Sequence, residues 1–150
     1  MPASQTASEA ASVLEPRALS HVAIRVRDVA KSSEWYTRIL GYRVFLDERT
    51  AESSPRTFGL IGDLALEILR AEDTRERRID ESGSGIAAIS FGVDDIDASL
   101  AALRAAGASK SERPIQLGEV KLVLFRDPDG ILLEVIELPR GARSMAEVAR

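Results

Sequence analysis

Displacing the first half of the chain by 67 positions lays it on the second half, and this internal repeat restricts the possible folds more than any other feature. Ile24 falls on Phe91, Val26 on Val93, and Asp28 on Asp95. Ser32 falls on Ser99, Phe58 on Phe125, and Glu67 on Glu134. Gly41 and Gly107, each at the end of a helical stretch, miss by one residue, so a single deletion lies in the second helix or its end.

Each copy reads as a strand, a helix and further strands. In Leu19–Val26, the residues Val22, Ile24 and Val26 alternate with His21, Ala23 and Arg25, the period of a half-buried strand. The aliphatic face is expected on a helix, which leaves His21, Ala23 and Arg25 on the other side. Asp28 is placed to cap a helix running to Leu40, with Gly41 as its stop. Trp35, Tyr36, Ile39 and Leu40 form its apolar stripe. Strands follow at Arg43–Leu46, Thr57–Ile61 and Leu64–Leu69, the last two joined by a Gly62-Asp63 turn.

Residues 70–85 form a charged, then glycine- and serine-rich connector, read as a solvated link. The second copy has a strand at Ile86–Val93 and a helix capped by Asp95 and ended by Gly107. Strands near Val120–Phe125 and Ile131–Leu138 are joined by the turn Asp127-Pro128-Asp129-Gly130. Two βαβββ units of this kind predict an α+β domain, an open mixed-sheet barrel or cup. Its helices lie outside and a concave groove lies between the sheets. The expected organisation is a disordered tail at 1–16 and a single domain at 17–139, with module one at 17–75 and module two at 84–139. A C-terminal tail or short helix follows at 140–150.

Composition narrows the function classes. A net charge of -4 with acids mixed among the arginines gives no basic stripe for nucleic acid or an anionic membrane. The absence of cysteine excludes disulfides, thiolate metal sites and a cysteine nucleophile. The N-terminus has neither a basic start nor an apolar h-region, and no apolar run is long enough to span a bilayer. A cytoplasmic protein acting on a small molecule is the expectation.

The unusual residues sit at equivalent places in the repeat. Glu67 lies in LALEIL and Glu134 in ILLEVIEL, aliphatic strands in which an unpaired buried carboxylate would be costly. A strand with one wet face carries a glutamate innocently, but two at repeat-equivalent positions point to a shared inward role. His21, the only histidine, maps onto Ala88. The repeat therefore predicts four converging positions: His21, Glu67, Ala88 and Glu134. One imidazole and two carboxylates suit a divalent ion such as Mn, Fe, Ni or Zn.

These residues resemble a known group. LSHVAIRVRDVAKSSEWYTRILGYRV resembles the opening of the vicinal oxygen chelate superfamily of glyoxalases, bleomycin-resistance proteins and extradiol dioxygenases. GIAAISFGVDDIDASLAALRAAGA and FRDPDGILLEVIEL resemble its second module, so the likeness runs from Ala18 to Leu138. The resemblance implies metal ligands on the first and last strand of each module. His21 matches the first position, Glu67 the second and Glu134 the fourth, while Ala88 stands where the third is normally histidine. That departure speaks against a typical glyoxalase I or extradiol dioxygenase. The resemblance also implies a homodimer, packed side by side or by exchange of modules.

Three functions stay open on this reading. One is a lyase or isomerase acting on a small carbonyl-containing metabolite, with His21, Glu67 and Glu134 holding a metal and a glutamate serving as base. Another is a metal-free acid–base enzyme of specialised metabolism using Glu67 and Glu134. The last is a bleomycin-resistance-like protein that sequesters a drug-like ligand. For the ligand, Arg25, Phe58, Phe125 and Gln116 are the candidate contacts. Arg25 would anchor a carboxylate, the phenylalanines line the groove or fill the core, and Gln116 lies in a loop that could cover the groove.

Overall fold

The computed structural model describes residues 12–73 and 83–150; most of the predicted tail and most of the connector lie outside them. Module one comprises β1 (Val22–Val26), α1 (Val29–Leu40), β2 (Arg43–Glu48), β3 (Arg56–Ile61) and β4 (Leu64–Arg70). Module two comprises β5 (Ile89–Gly92), α2 (Ile96–Ala105), β6 (Ile115–Leu117), β7 (Val120–Arg126) and β8 (Leu132–Glu137). A 3-10 turn at Pro139–Gly141 and a short helix, α3 (Met145–Val148), end the chain. Each module is a four-stranded sheet, ordered β1-β4-β3-β2 and β5-β8-β7-β6. The first strand runs parallel to the last and the other pairs are antiparallel.

The helices start and stop where their sequences dictate. Asp28 accepts from the Lys31 N–H at 3.0 Å and Asp95 from the Ala98 N–H at 2.9 Å, each offsetting an orphan donor of the first turn. Glu137 adds a second acceptor, 2.8 Å from the Ile96 N–H, so one of the two glutamates in ILLEVIEL serves helix α2. Gly41 ends α1 with φ of 67°, a left-handed conformation that glycine adopts without strain.

Register turns the repeat into geometry and corrects one expectation. Val22 pairs Leu66 and Ile89 pairs Leu133, so both strands of the parallel pair keep the displacement of 67. Glu67, however, faces Phe58 across β3, whereas Glu134 faces Leu124 across β7. The structural equivalent of Phe58 is thus Leu124, one residue short of the sequence match. The cause is the connection: two residues between the paired ends of β3 and β4, five between those of β7 and β8. A shift of one residue sends a side chain to the opposite face. Phe125 accordingly lies in the core, 6.3 Å from the Trp35 ring, and does not line the groove.

Other boundaries move by a few residues. The first strand begins at Val22 and that of module two at Ile89, so His21 and Ala88 stand just before their strands. β6 falls where the sequence suggests a loop, and at three exposed residues it carries no burial pattern to reveal it.

One apolar core joins both modules, including Ile24, Tyr36, Leu66 and Ile68 from the first and Leu103, Val123, Leu133 and Val135 from the second. Helix α1 reaches across: Tyr36 Oη donates to Asp127 Oδ2 at 2.9 Å, with both groups buried. Burial, aided by the Asp127 charge, pushes the tyrosine well above its usual range. Burial likewise raises Asp127, against N–H donors from Ile131 and Asp129 that hold it down. No helix among the described residues is long and apolar enough to cross a membrane.

Candidate functional site

The alternation of β1 and β4 puts Leu66 and Ile68 into the core and turns Glu67 to the other face, beside Ala23. His21 and Glu67 come together there, Nε2 to Oε2 at 3.6 Å. The Ser20 hydroxyl lies 3.1 Å from His21 Nδ1, fixing the ring so that Nε2 turns to the carboxylate. Arg56, on β3, brings Nη1 to 3.7 Å from the other Glu67 oxygen while its Nε donates to Glu48 at 2.8 Å. Phe58 meets the imidazole edge-on at 5.2 Å, and Phe45 stacks on Phe58 at 6.1 Å. Module one therefore offers an imidazole–carboxylate pair, a bridging guanidinium and an aromatic wall.

Module two offers a plainer half-site. Glu134 pairs in register with Ser90, and the serine hydroxyl donates to Oε1 at 2.6 Å, a short charge-assisted bond. In module one the same register place holds Ala23, which cannot bond Glu67. Ala88 adds no donor. The two copies have diverged: module one keeps an imidazole for its glutamate, and module two keeps a hydroxyl two residues further on.

The predicted residues are only partly gathered. Among the described residues no three His, Cys, Asp or Glu side chains are grouped so as to hold one metal ion. One chain by itself does not assemble His21, Glu67 and Glu134 into the expected centre. Arg25 is exposed on the His21 face but stands about 13 Å further along the strand, at the spacing of four residues. Gln116 lies on β6, where its amide donates to the Gly118 carbonyl at 2.6 Å, closing its own turn and not the groove. Ser20, Arg56, Phe45 and Ser90 are contacts that sequence reasoning missed. Ser90 was within reach, because alternation from Ala88 puts it on the same face; Arg56 and Phe45 needed the hairpin register.

Comparison with known proteins bears on the family and the fold. Residues 18–135 match the family model described as Glyoxalase/Bleomycin resistance protein/Dioxygenase superfamily. A lactoylglutathione lyase of Haemophilus influenzae is 33% identical over 127 residues, covering 78% of this chain and 90% of that protein. A glyoxylase/bleomycin resistance protein/dioxygenase domain from a Frankia species superposes with a TM-score of 0.70 at 27% identity. That likeness covers 85% of this chain and 96% of the other. The fosfomycin resistance protein FosX of Listeria monocytogenes, in a crystal structure with Mn(II), shares the fold with a TM-score of 0.66 at 24% identity. It covers 89% of this chain and 98% of FosX.

Proposed function

The chain belongs to the glyoxalase, bleomycin-resistance protein and dioxygenase superfamily, and from that premise we propose a lyase or isomerase that moves a proton next to the carbonyl of a small metabolite. Its site is completed by a second copy: His21 and Glu67 of one chain face Glu134 of the other. The observation that carries this reading is the division of the half-sites. The imidazole–carboxylate pair stands on one sheet, the Ser90–Glu134 pair on the other, and no single chain closes them around an ion. The surroundings of these half-sites also call for a cover. Phe45 is 64% exposed beside Phe58, and Leu124 is 37% exposed opposite Glu134. Apolar side chains left wet in this way stabilise an assembly when a partner covers them.

The donor set brought together across two copies, one imidazole and two carboxylates, fits a divalent ion such as Mn, Fe, Ni or Zn. Ser20 at Nδ1 supports that fit, since a histidine ligand is oriented by the partner of its other nitrogen. A bound ion would supply Lewis-acid polarisation of the substrate carbonyl. The chain's own residues do the rest. Phe58 and Phe45 hold an apolar flank of the substrate. Ser90 fixes one oxygen of Glu134, and the other oxygen takes the proton.

A second reading has an observation of its own. Arg56 already stands beside Glu67 and Ser90 already satisfies an oxygen of Glu134, an arrangement that supports acid–base chemistry without metal. Metal analysis of tag-free protein separates the two. About one ion per site, lost in both His21→Ala and Glu134→Gln, is the expected outcome. Metal at background in wild type and variants alike would leave the metal-free reading.

A further inference from the structure

Register allows the two modules to be compared place by place on the face that carries the glutamates. Arg56 on β3 pairs with Glu48 on β2 and with Leu69 on β4. Alternation along β3 turns Arg56 to the same face as Phe58, and so beside Glu67. With Leu124 as the counterpart of Phe58, module two holds Leu122 in place of Arg56, Ile115 in place of Glu48 and Ile136 in place of Leu69. One module fills this row with aliphatic side chains, and the other builds an ion pair into it.

The fold itself does not ask for that pair. A charge pair drawn out of water loses in hydration much of what it gains in attraction, and apolar neighbours of similar size serve stability at least as well. The sister module makes the same strand pairing with Ile115 and Leu122, the leucine buried. Glu48 and Arg56 are therefore an addition peculiar to module one, set next to its imidazole–carboxylate pair.

The bonds of the guanidinium show which part of it is spent. Nε donates to Glu48 Oε2 at 2.8 Å, which fixes the plane of the group. Nη1 stands 3.7 Å from Glu67 Oε1, close enough for attraction but too far for a hydrogen bond. Nη2 makes no hydrogen bond among the described residues. The outer end of the fork, with its paired N–H donors, is thus held in position and left unused. That end matches the two oxygens of a carboxylate. Arg25, in the same row beyond Leu69, is exposed and adds a second positive charge to this face.

We propose that Arg56 binds a carboxylate of the substrate, with Glu48 as its positioning residue. The substrate is then a short oxo acid, whose carboxylate lies a few bonds from the carbonyl that reacts beside His21 and Glu67. The assignment rests on the reaction proposed above taking place at those residues. It narrows the carbonyl compound to an anionic one and assigns Arg56 a contact for which the fold has no need.

The test titrates methyl-labelled, tag-free protein with 4-oxopentanoate and separately with its uncharged methyl ester, followed by NMR at the Leu69 methyls. The acid is expected to shift these signals and the ester to leave them unmoved. The double variant Glu48→Ile with Arg56→Leu installs the pair that module two already uses. It should fold with a thermal midpoint no lower than wild type, while its affinity for the acid falls roughly tenfold or more, the scale of hydrogen bonds to a charged group. Arg25→Gln should keep the shift. No response to the acid in wild type, an equal response to the ester, or a response that survives the double variant would each overturn the assignment. So would a lowered thermal midpoint in the double variant, which would make the ion pair structural, or loss of the shift in Arg25→Gln alone. Failure of the metal reading appears separately, as metal at background with the Arg56-dependent shifts intact.

Discussion

Tyr36 Oη donates to Asp127 Oδ2 at 2.9 Å across 91 residues of sequence, joining helix α1 of module one to the turn after β7 in module two. Both groups are buried, so the bond cannot be exchanged for water at little cost. Tyr36→Phe leaves the carboxylate short of a donor and is expected to lower stability by about 1.5–3 kcal/mol, the range for hydrogen bonds to charged groups. Urea unfolding with an unchanged m-value would show that the loss is one of stability alone.

The same pair sets a pH dependence. Burial raises Asp127 above its ordinary 3.8 in the folded chain, so the native state binds that proton more tightly than the unfolded chain does. Linkage then makes the Asp127 contribution fall as pH rises from 3.8 through the raised native value. Most paired surface carboxylates act in the opposite direction. Asp127→Asn removes this component: its unfolding free energy, measured across the acid range, should lack the decline that wild type shows there.

Much of this was legible in the sequence. The displacement of 67 survives in the register of β1 with β4 and of β5 with β8, because alternating aliphatic residues must keep their face on the core. His21 and Glu67 meet as that alternation requires. Phe125 fills the core, one of the two places the sequence leaves open to it, since the residue lost after the second helix is recovered only in the longer turn before β8. β6 stayed hidden because three exposed residues have no period to read. How near Glu134 comes to His21 depends on how modules and copies pack, and no local pattern encodes that.

Gly92 and the C-terminal segment give a third prediction. An added methyl at residue 92 meets the Arg143 carbonyl, and the carbonyl carbon lies only 3.0 Å from the same point. Gly92→Ala is expected to lift residues 143–148 from β5 while the sheets remain folded, since the collision is with a terminal segment. Hydrogen exchange should rise at the amides of α3 and stay unchanged in β4 and β8. Overpacking inside a core costs about 1–3 kcal/mol, and a loss below that range fits a segment that moves aside.

Gly59 makes the contrasting case. A Cβ there would strike the Tyr42 ring and stand 2.7 Å from the Arg43 carbonyl, inside module one. Tyr42 is buried, with its hydroxyl 3.1 Å from both Thr57 Oγ1 and the Leu66 carbonyl. Gly59→Ala is therefore expected to cost the full range of about 1–3 kcal/mol and to lower the thermal midpoint.

The most direct test of a site shared between two copies mixes two defective chains. His21→Ala and Glu134→Gln chains, carrying different non-histidine tags, are co-expressed and the mixed dimer is purified through both tags. In a two-fold dimer one site then has both residues intact and the other lacks both. The shared site predicts bound metal at about half the wild-type level in the mixed dimer and none in either parent. Metal absent from the mixed dimer although wild type binds it would contradict the sharing and place the ligands within single chains.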